Sequence, residues 1–102
     1  FPRPKQALLC GDLNFPAAAP ERMQILAPFT AGVPNFNDAW SVLHPGQVHA
    51  PTVGIHPVDF VDRPECFDYV FITDGLVSHL KAHGIDATTE ASDHQPIWVE
   101  LA

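Results

Sequence analysis

The sequence predicts an α/β fold: one mixed, largely antiparallel sheet with two helices on its outer face. Three observations lead there. The continuous apolar run Ala7-Leu8-Leu9-Cys10 closes at Gly11 and reads as a short strand buried on both faces. Residues 67–73 concentrate aromatic and β-branched side chains, the mark of a central strand. Two short segments between them carry helix punctuation. With 102 residues the chain forms one domain with one core, large enough to bury roughly two-thirds of its unfolded surface.

Taken in order, the first strand leads into Asp12 and Asn14. If extended backbone persists through residue 14, the period of two sets these side chains on one face and Leu13 on the other. Residues 20–27 open with Pro20 at a first helical position and Glu21 in the first turn. They place Met23, Leu26 and Ala27 at helical spacing and end before Pro28. A second helix is expected over 38–43, with Asn37 as its N-cap, Pro45 as its stop, and Trp40 and Leu43 facing the core.

Residues 44–64 contain Pro45, Pro51, Pro57, Pro64, Gly46 and Gly54, too much punctuation for long regular structure. They read as a loop with a short strand near Thr52-Val53, long enough to wall a site. In 67–73, Asp68, Val70 and Ile72 alternate with Phe67, Tyr69 and Phe71. Leu76 to Ala82 is a weaker strand ended by Gly84, and Ile97, Val99 and Leu101 alternate with Trp98 and Glu100 in a last strand. Val70, Ile72, Ile97, Val99 and Leu101 would form one apolar sheet face that the two helices leave open.

The composition, 46% hydrophobic and 17% charged, is that of a globular protein. No apolar stretch approaches the roughly 20 residues of a membrane span. Five basic against twelve acidic residues give a formal charge of −7, which removes the basic footprint of a polynucleotide-gripping protein. Phosphate chemistry is still open, because a divalent cation reverses the field at a carboxylate-lined site. Cys10 and Cys66 are too few and too far apart for a zinc knuckle or a disulfide framework. They are expected to be reduced, semi-buried core residues, and a cytoplasmic setting is favoured. Phe1-Pro2-Arg3-Pro4-Lys5 lacks the apolar core of a signal peptide, so the start is processed or the chain is a piece of something longer.

Three strings set catalytic residue types at the edges of apolar runs: Gly11-Asp12-Leu13-Asn14, Phe67-Asp68-Tyr69-Val70-Phe71 and Ser92-Asp93-His94-Gln95-Pro96. Alone, each has a plain structural reading. Asp and Asn after a strand commonly cap the next turn, and Asp-His before a strand is itself a turn. Phosphoester cleavage, however, needs a carboxylate to orient water or bind metal and a neutral donor for the phosphoryl oxygens; Asp12 and Asn14 meet that need. Asp93 is a hard ligand for Mg²⁺, and His94 has the pKa for proton transfer near neutrality. Asp68, an acid in an apolar strand, is the candidate to fix the second nitrogen of His94. His44, His49, His56, His79 and His83 show no tight ligand spacing and read as surface or supporting residues. His56 could approach the site because its loop precedes the Asp68 strand.

In the same order, these strings resemble the Gly-Asp-x-Asn, Asp-Tyr and Ser-Asp-His-x-Pro motifs of the endonuclease/exonuclease/phosphatase superfamily, which includes the pancreatic-type deoxyribonucleases. Asp38-Ala39-Trp40 is similar to the helix that follows the first motif. The resemblance runs from Leu8 to Leu101 and implies that residues 1–102 form the C-terminal half of a four-layer αββα sandwich. It implies a Mg²⁺- or Mn²⁺-dependent phosphoesterase in which Asp12 orients the nucleophile and shares the metal with Asp93. Asn14 would stabilise phosphoryl oxygens, and His94, held by Asp68, would act as base. The family's metal-binding Glu and further site residues lie in an N-terminal half without counterpart here. The apolar sheet face would then meet that half or a second copy of the chain. The alternative is a fold remnant or binding module that keeps the motifs without turnover.

Overall fold

The computed structural model describes residues 3–57 and 63–102; the loop reading for 58–62 and the reading of Phe1 and Pro2 lie outside them. The α/β class expected from the sequence is the one that forms, with every strand among the described residues pairing antiparallel. In place of the single sheet expected, strands β1 (Leu8–Asp12), β3 (Asp68–Thr73) and β2 (Phe36–Asp38) make one sheet with β3 in the middle, and β4 (Leu80–Ile85) and β5 (Ile97–Leu101) pair with each other as a second. Helices α1 (Pro20–Leu26), α2 (Ala39–Leu43) and α3 (Asp74–Val77) are all short.

Strand β3 organises the core because both of its side-chain rows are largely apolar, Val70 and Ile72 on one face and Tyr69 and Phe71 on the other, and all six of its residues are buried. Val70 and Ile72 pack with Ala39, Leu80 and the half-buried Val42, Leu43, Ile97 and Val99. Tyr69 and Phe71 pack on the other face with Cys66, Phe15, Ile25, Leu26 and Phe36. Burial of this kind contributes about 1.5–3 kcal/mol per large apolar side chain.

This packing corrects two expectations. The helices do not share one face: α1 covers the Tyr69 row, while α2 and α3 cover the Val70 row. The Val70 and Ile72 face is therefore not left open for a partner, since α2, α3 and the β4–β5 ribbon close it within the chain. Leu101, by contrast, remains exposed.

Other differences are local. Strand β1 is exposed at all five residues, because pairing on β3 alone leaves it at the sheet edge. Cys10 is accordingly exposed and Cys66 buried, both free. Burial pushes the Cys66 thiol up to about 12. Met23 is 60% exposed; the seven-residue α1 instead turns Ile25 and Leu26 inward and sends Arg22 to the buried Asp38 at 2.9 Å. The cap of α2 is Asp38, whose Oδ1 accepts the Trp40 N–H at 3.0 Å, while the Asn37 amide donates to Asp74 at 2.9 Å. Leu76 and Val77 belong to a helical turn, and β4 continues through Gly84, where a Cβ would overlap the Trp98 indole.

In the loop, where a short strand was expected near Thr52-Val53, Val53 makes only isolated antiparallel bridges, to Glu65 and to His94. Gly54 turns the chain back at φ 71°, against the Arg63 carbonyl where a Cβ has no room. Among the described residues, no helix is long and apolar enough to cross a membrane.

Candidate active site

Two backbone pairings bring the three strings together. Strand β1 runs antiparallel to β3 with Asp12 opposite Asp68, and the Val53 bridge holds His94 beside the start of β3. Oxygens of Asp12 and Asp68 and a ring nitrogen of His94 all lie within 4.8 Å of one another; among the described residues no other three metal-ligating side chains converge this closely.

His94 is bracketed. Its Nδ1 is 2.8 Å from Asp68 Oδ2 and 3.1 Å from Oδ1, while Nε2 is 3.6 Å from Asp12 Oδ2. The first contact is a hydrogen bond; the second is an ion-pair distance, too long for one. Hydrogen bonding to Asp68 raises the His94 pKa above its ordinary value, and the charges of Asp68, Asp12 and Asp93 add to this against the opposing effect of partial burial. With Asp68 on Nδ1, the neutral ring keeps its proton there and offers the Nε2 lone pair toward Asp12.

Asp68 is almost fully buried, and its charge is satisfied locally: besides His94, the Thr52 hydroxyl donates to Oδ2 at 2.6 Å. Asp12, whose side chain is 48% exposed, faces the opening. Its Oδ1 accepts the Asn14 N–H at 2.9 Å, and Asn14 sits at φ 59°. The extended backbone therefore stops at Asp12, and the shared face expected for Asp12 and Asn14 is replaced by a tight turn. The cause is the short Asp side chain, which competes for a backbone N–H two residues on.

Asp93 stands outside the convergent three. It is exposed and accepts a long 3.4 Å contact from Ser92 Oγ, while acting on His94 through charge. Ser92 Oγ in turn accepts the His94 N–H at 3.2 Å, shaping the turn. His56 faces Glu90 at 3.8 Å and is not among the three. His49 and His83 are core residues rather than surface ones. Thr52 is the residue that sequence reasoning missed; only the requirement that a buried carboxylate find donors pointed to such a partner.

Compared with known proteins, the chain matches no protein-family model, no curated protein and no solved structure.

Proposed function

We propose that this chain carries the acid–base side of a divalent-cation-dependent phosphoester hydrolase. The observation that supports the reading best is the His94 imidazole held between Asp68 on Nδ1 and Asp12 near Nε2. Held in this way, Nε2 can take a proton from an attacking water or return one to a leaving oxygen, and Asp68 stabilises the imidazolium formed. Asp12 orients the water at the same mouth. Asn14, in the turn that Asp12 caps, supplies a neutral donor for a phosphoryl oxygen.

The donor chemistry fits a hard cation. Asp68 is committed to His94 and Thr52, so the open oxygen ligand of the convergent group is the exposed Asp12 carboxylate, a donor of the kind Mg²⁺ and Mn²⁺ prefer; Asp93, exposed but outside that group, is the second ligand that the family resemblance implies. A cation held there would neutralise charge on the phosphoryl oxygens. Two carboxylates leave most of its coordination to water and substrate, so turnover by this chain alone is expected to be slow. The charge of −7 favours small phosphomonoesters or phosphodiesters over bare polynucleotide.

The Asp12-to-Asn14 turn favours a second reading, a binding module in which these residues only shape a loop. Chromogenic phosphomono- and phosphodiesters assayed with Mg²⁺ or Mn²⁺, alongside Mn²⁺ titration, separate the two. Hydrolysis that disappears in His94→Ala supports the enzyme. No hydrolysis above the buffer rate and no Mn²⁺ binding would leave the module.

A further inference from the structure

We propose that Thr52 is a positioning residue of this site: its hydroxyl fixes the plane of the Asp68 carboxylate and thereby the ring orientation of His94. The inference rests on the acid–base reading of the site and extends it to a residue outside the three strings.

Thr52 spends every polar atom on joining the segments that carry the site. Its N–H donates to the Glu65 carbonyl at 2.8 Å, and its carbonyl accepts the Gln95 N–H at 2.7 Å. Its Oγ accepts the N–H of Phe67 at 3.0 Å and, more weakly, that of Asp68 at 3.3 Å. With those two donors on the oxygen, the hydroxyl proton is left for Asp68 Oδ2 at 2.6 Å. That is the length of a charge-assisted O–H···O⁻ bond, about 2.5–2.7 Å. Thr52 is fully buried, so water does not compete for any of these bonds.

A threonine that only braced the loop would account for the backbone bonds. The short bond to the carboxylate both satisfies a buried charge and fixes its plane. The terminal torsion of an aspartate is soft and two-fold, so no rotamer preference holds the carboxylate plane. Two donors hold it instead: Thr52 from the loop on Oδ2, and His94 Nδ1 from the turn before β5 at 2.8 Å from Oδ2 and 3.1 Å from Oδ1. Without the hydroxyl, Oδ2 loses its stronger fixed contact, and the carboxylate that accepts from His94 Nδ1 is free to rotate about its soft terminal torsion.

The test is the His94 tautomer, read from ring ¹⁵N shifts at a pH where the imidazole is neutral and with divalent cations chelated. The wild-type chain and Thr52→Ser should show the Nδ1–H form. Thr52→Val, which leaves Asp68 in place but unbraced, should let a measurable fraction of the Nε2–H form appear, while the amide signals of Val53 and Gln95 stay in place. A folded Thr52→Val chain that keeps the Nδ1–H form alone would overturn the proposal. If that variant does not fold, the wild-type hydroxyl proton decides: it should exchange slowly with solvent, and exchange as fast as that of an exposed threonine would equally overturn it. No turnover enters the measurement. An inactive chain whose tautomer follows residue 52 would sink the hydrolase reading and leave the positioning role standing.

Discussion

Asp68 and His94, 26 residues apart in the chain, meet at 2.8 Å between Oδ2 and Nδ1. If the ring moves the reacting proton, His94→Ala should lower the phosphoesterase rate by about 10²–10⁴. Asp68→Asn should act through the same proton, so the double variant should be barely slower than the worse single one. Rates on a chromogenic phosphodiester for the four proteins measure the coupling. Independent, multiplicative losses would dissolve the pairing.

Asp12 is the exposed member of the group, so Asp12→Ala should remove activity while shifting stability by less than about 1 kcal/mol. A large fall in melting temperature with activity per folded molecule intact would favour a turn-capping role instead.

Asn14 needs a different substitution. At φ 59° an alanine is strained by about 1–2 kcal/mol, whereas glycine is not. Asn14→Gly should therefore keep the melting temperature and lose about 10²–10³ in kcat if the amide donates to a developing phosphoryl charge. Asn14→Ala should lose both. Unchanged kcat in the glycine variant would remove Asn14 from the site.

What the sequence revealed and what it concealed divide along physical lines. Strand β3 is legible because burial on both faces writes itself as aromatic and β-branched residues in alternate rows, and Asp68 is legible as the single acid among them. A carboxylate in that place must find a cationic or hydrogen-bonding partner, which pointed to His94. Strand order is not written in any local run, so the edge position of Leu8–Asp12 was hidden, as was closure of the Val70 face by β4 and β5. The turn at Asn14 was one of two readings open in the sequence, since an Asp after a strand can cap the next turn or continue on a strand face, and the Asp12 side chain takes the Asn14 N–H. Thr52 lies 16 residues before Asp68 in a proline-punctuated loop without periodicity, so only tertiary structure brings it to the carboxylate. The burial of His49 and His83 arises the same way, from side chains that meet across three segments.

Those two histidines set a last expectation. His49 stacks on Trp40 with centroids 5.0 Å apart and meets Tyr69 edge-on at 5.5 Å; His83 lies 5.7 Å from His49 and edge-on to Trp40 at 5.8 Å. Both are more than nine-tenths buried, and His49 Nε2 and both His83 nitrogens meet no hydrogen-bond partner among the described residues. Desolvation lowers both pKa values; the nearby Asp38 charge opposes this, though Asp38 is itself paired with Arg22. Each ring holds a proton less readily in the folded chain than once unfolded, where it takes one near pH 6.5. Below that pH the unfolded state binds more protons, so stability is full above about pH 6.5 and falls as the pH drops toward the depressed folded values, by up to about 1.4 kcal/mol per pH unit for each ring. His94 acts in the opposite sense. Its raised pKa contributes stability below pH 6.5 that is lost as the pH rises through the folded value, and with its side chain 31% exposed that share is screened by solvent. The two buried rings should prevail. Urea midpoints should fall between pH 7 and pH 5, and His49→Phe, which keeps the stack on Trp40 without a titrating nitrogen, should flatten the fall. Midpoints that hold steady or rise over that range would mean that one or both rings accept a proton without leaving the core.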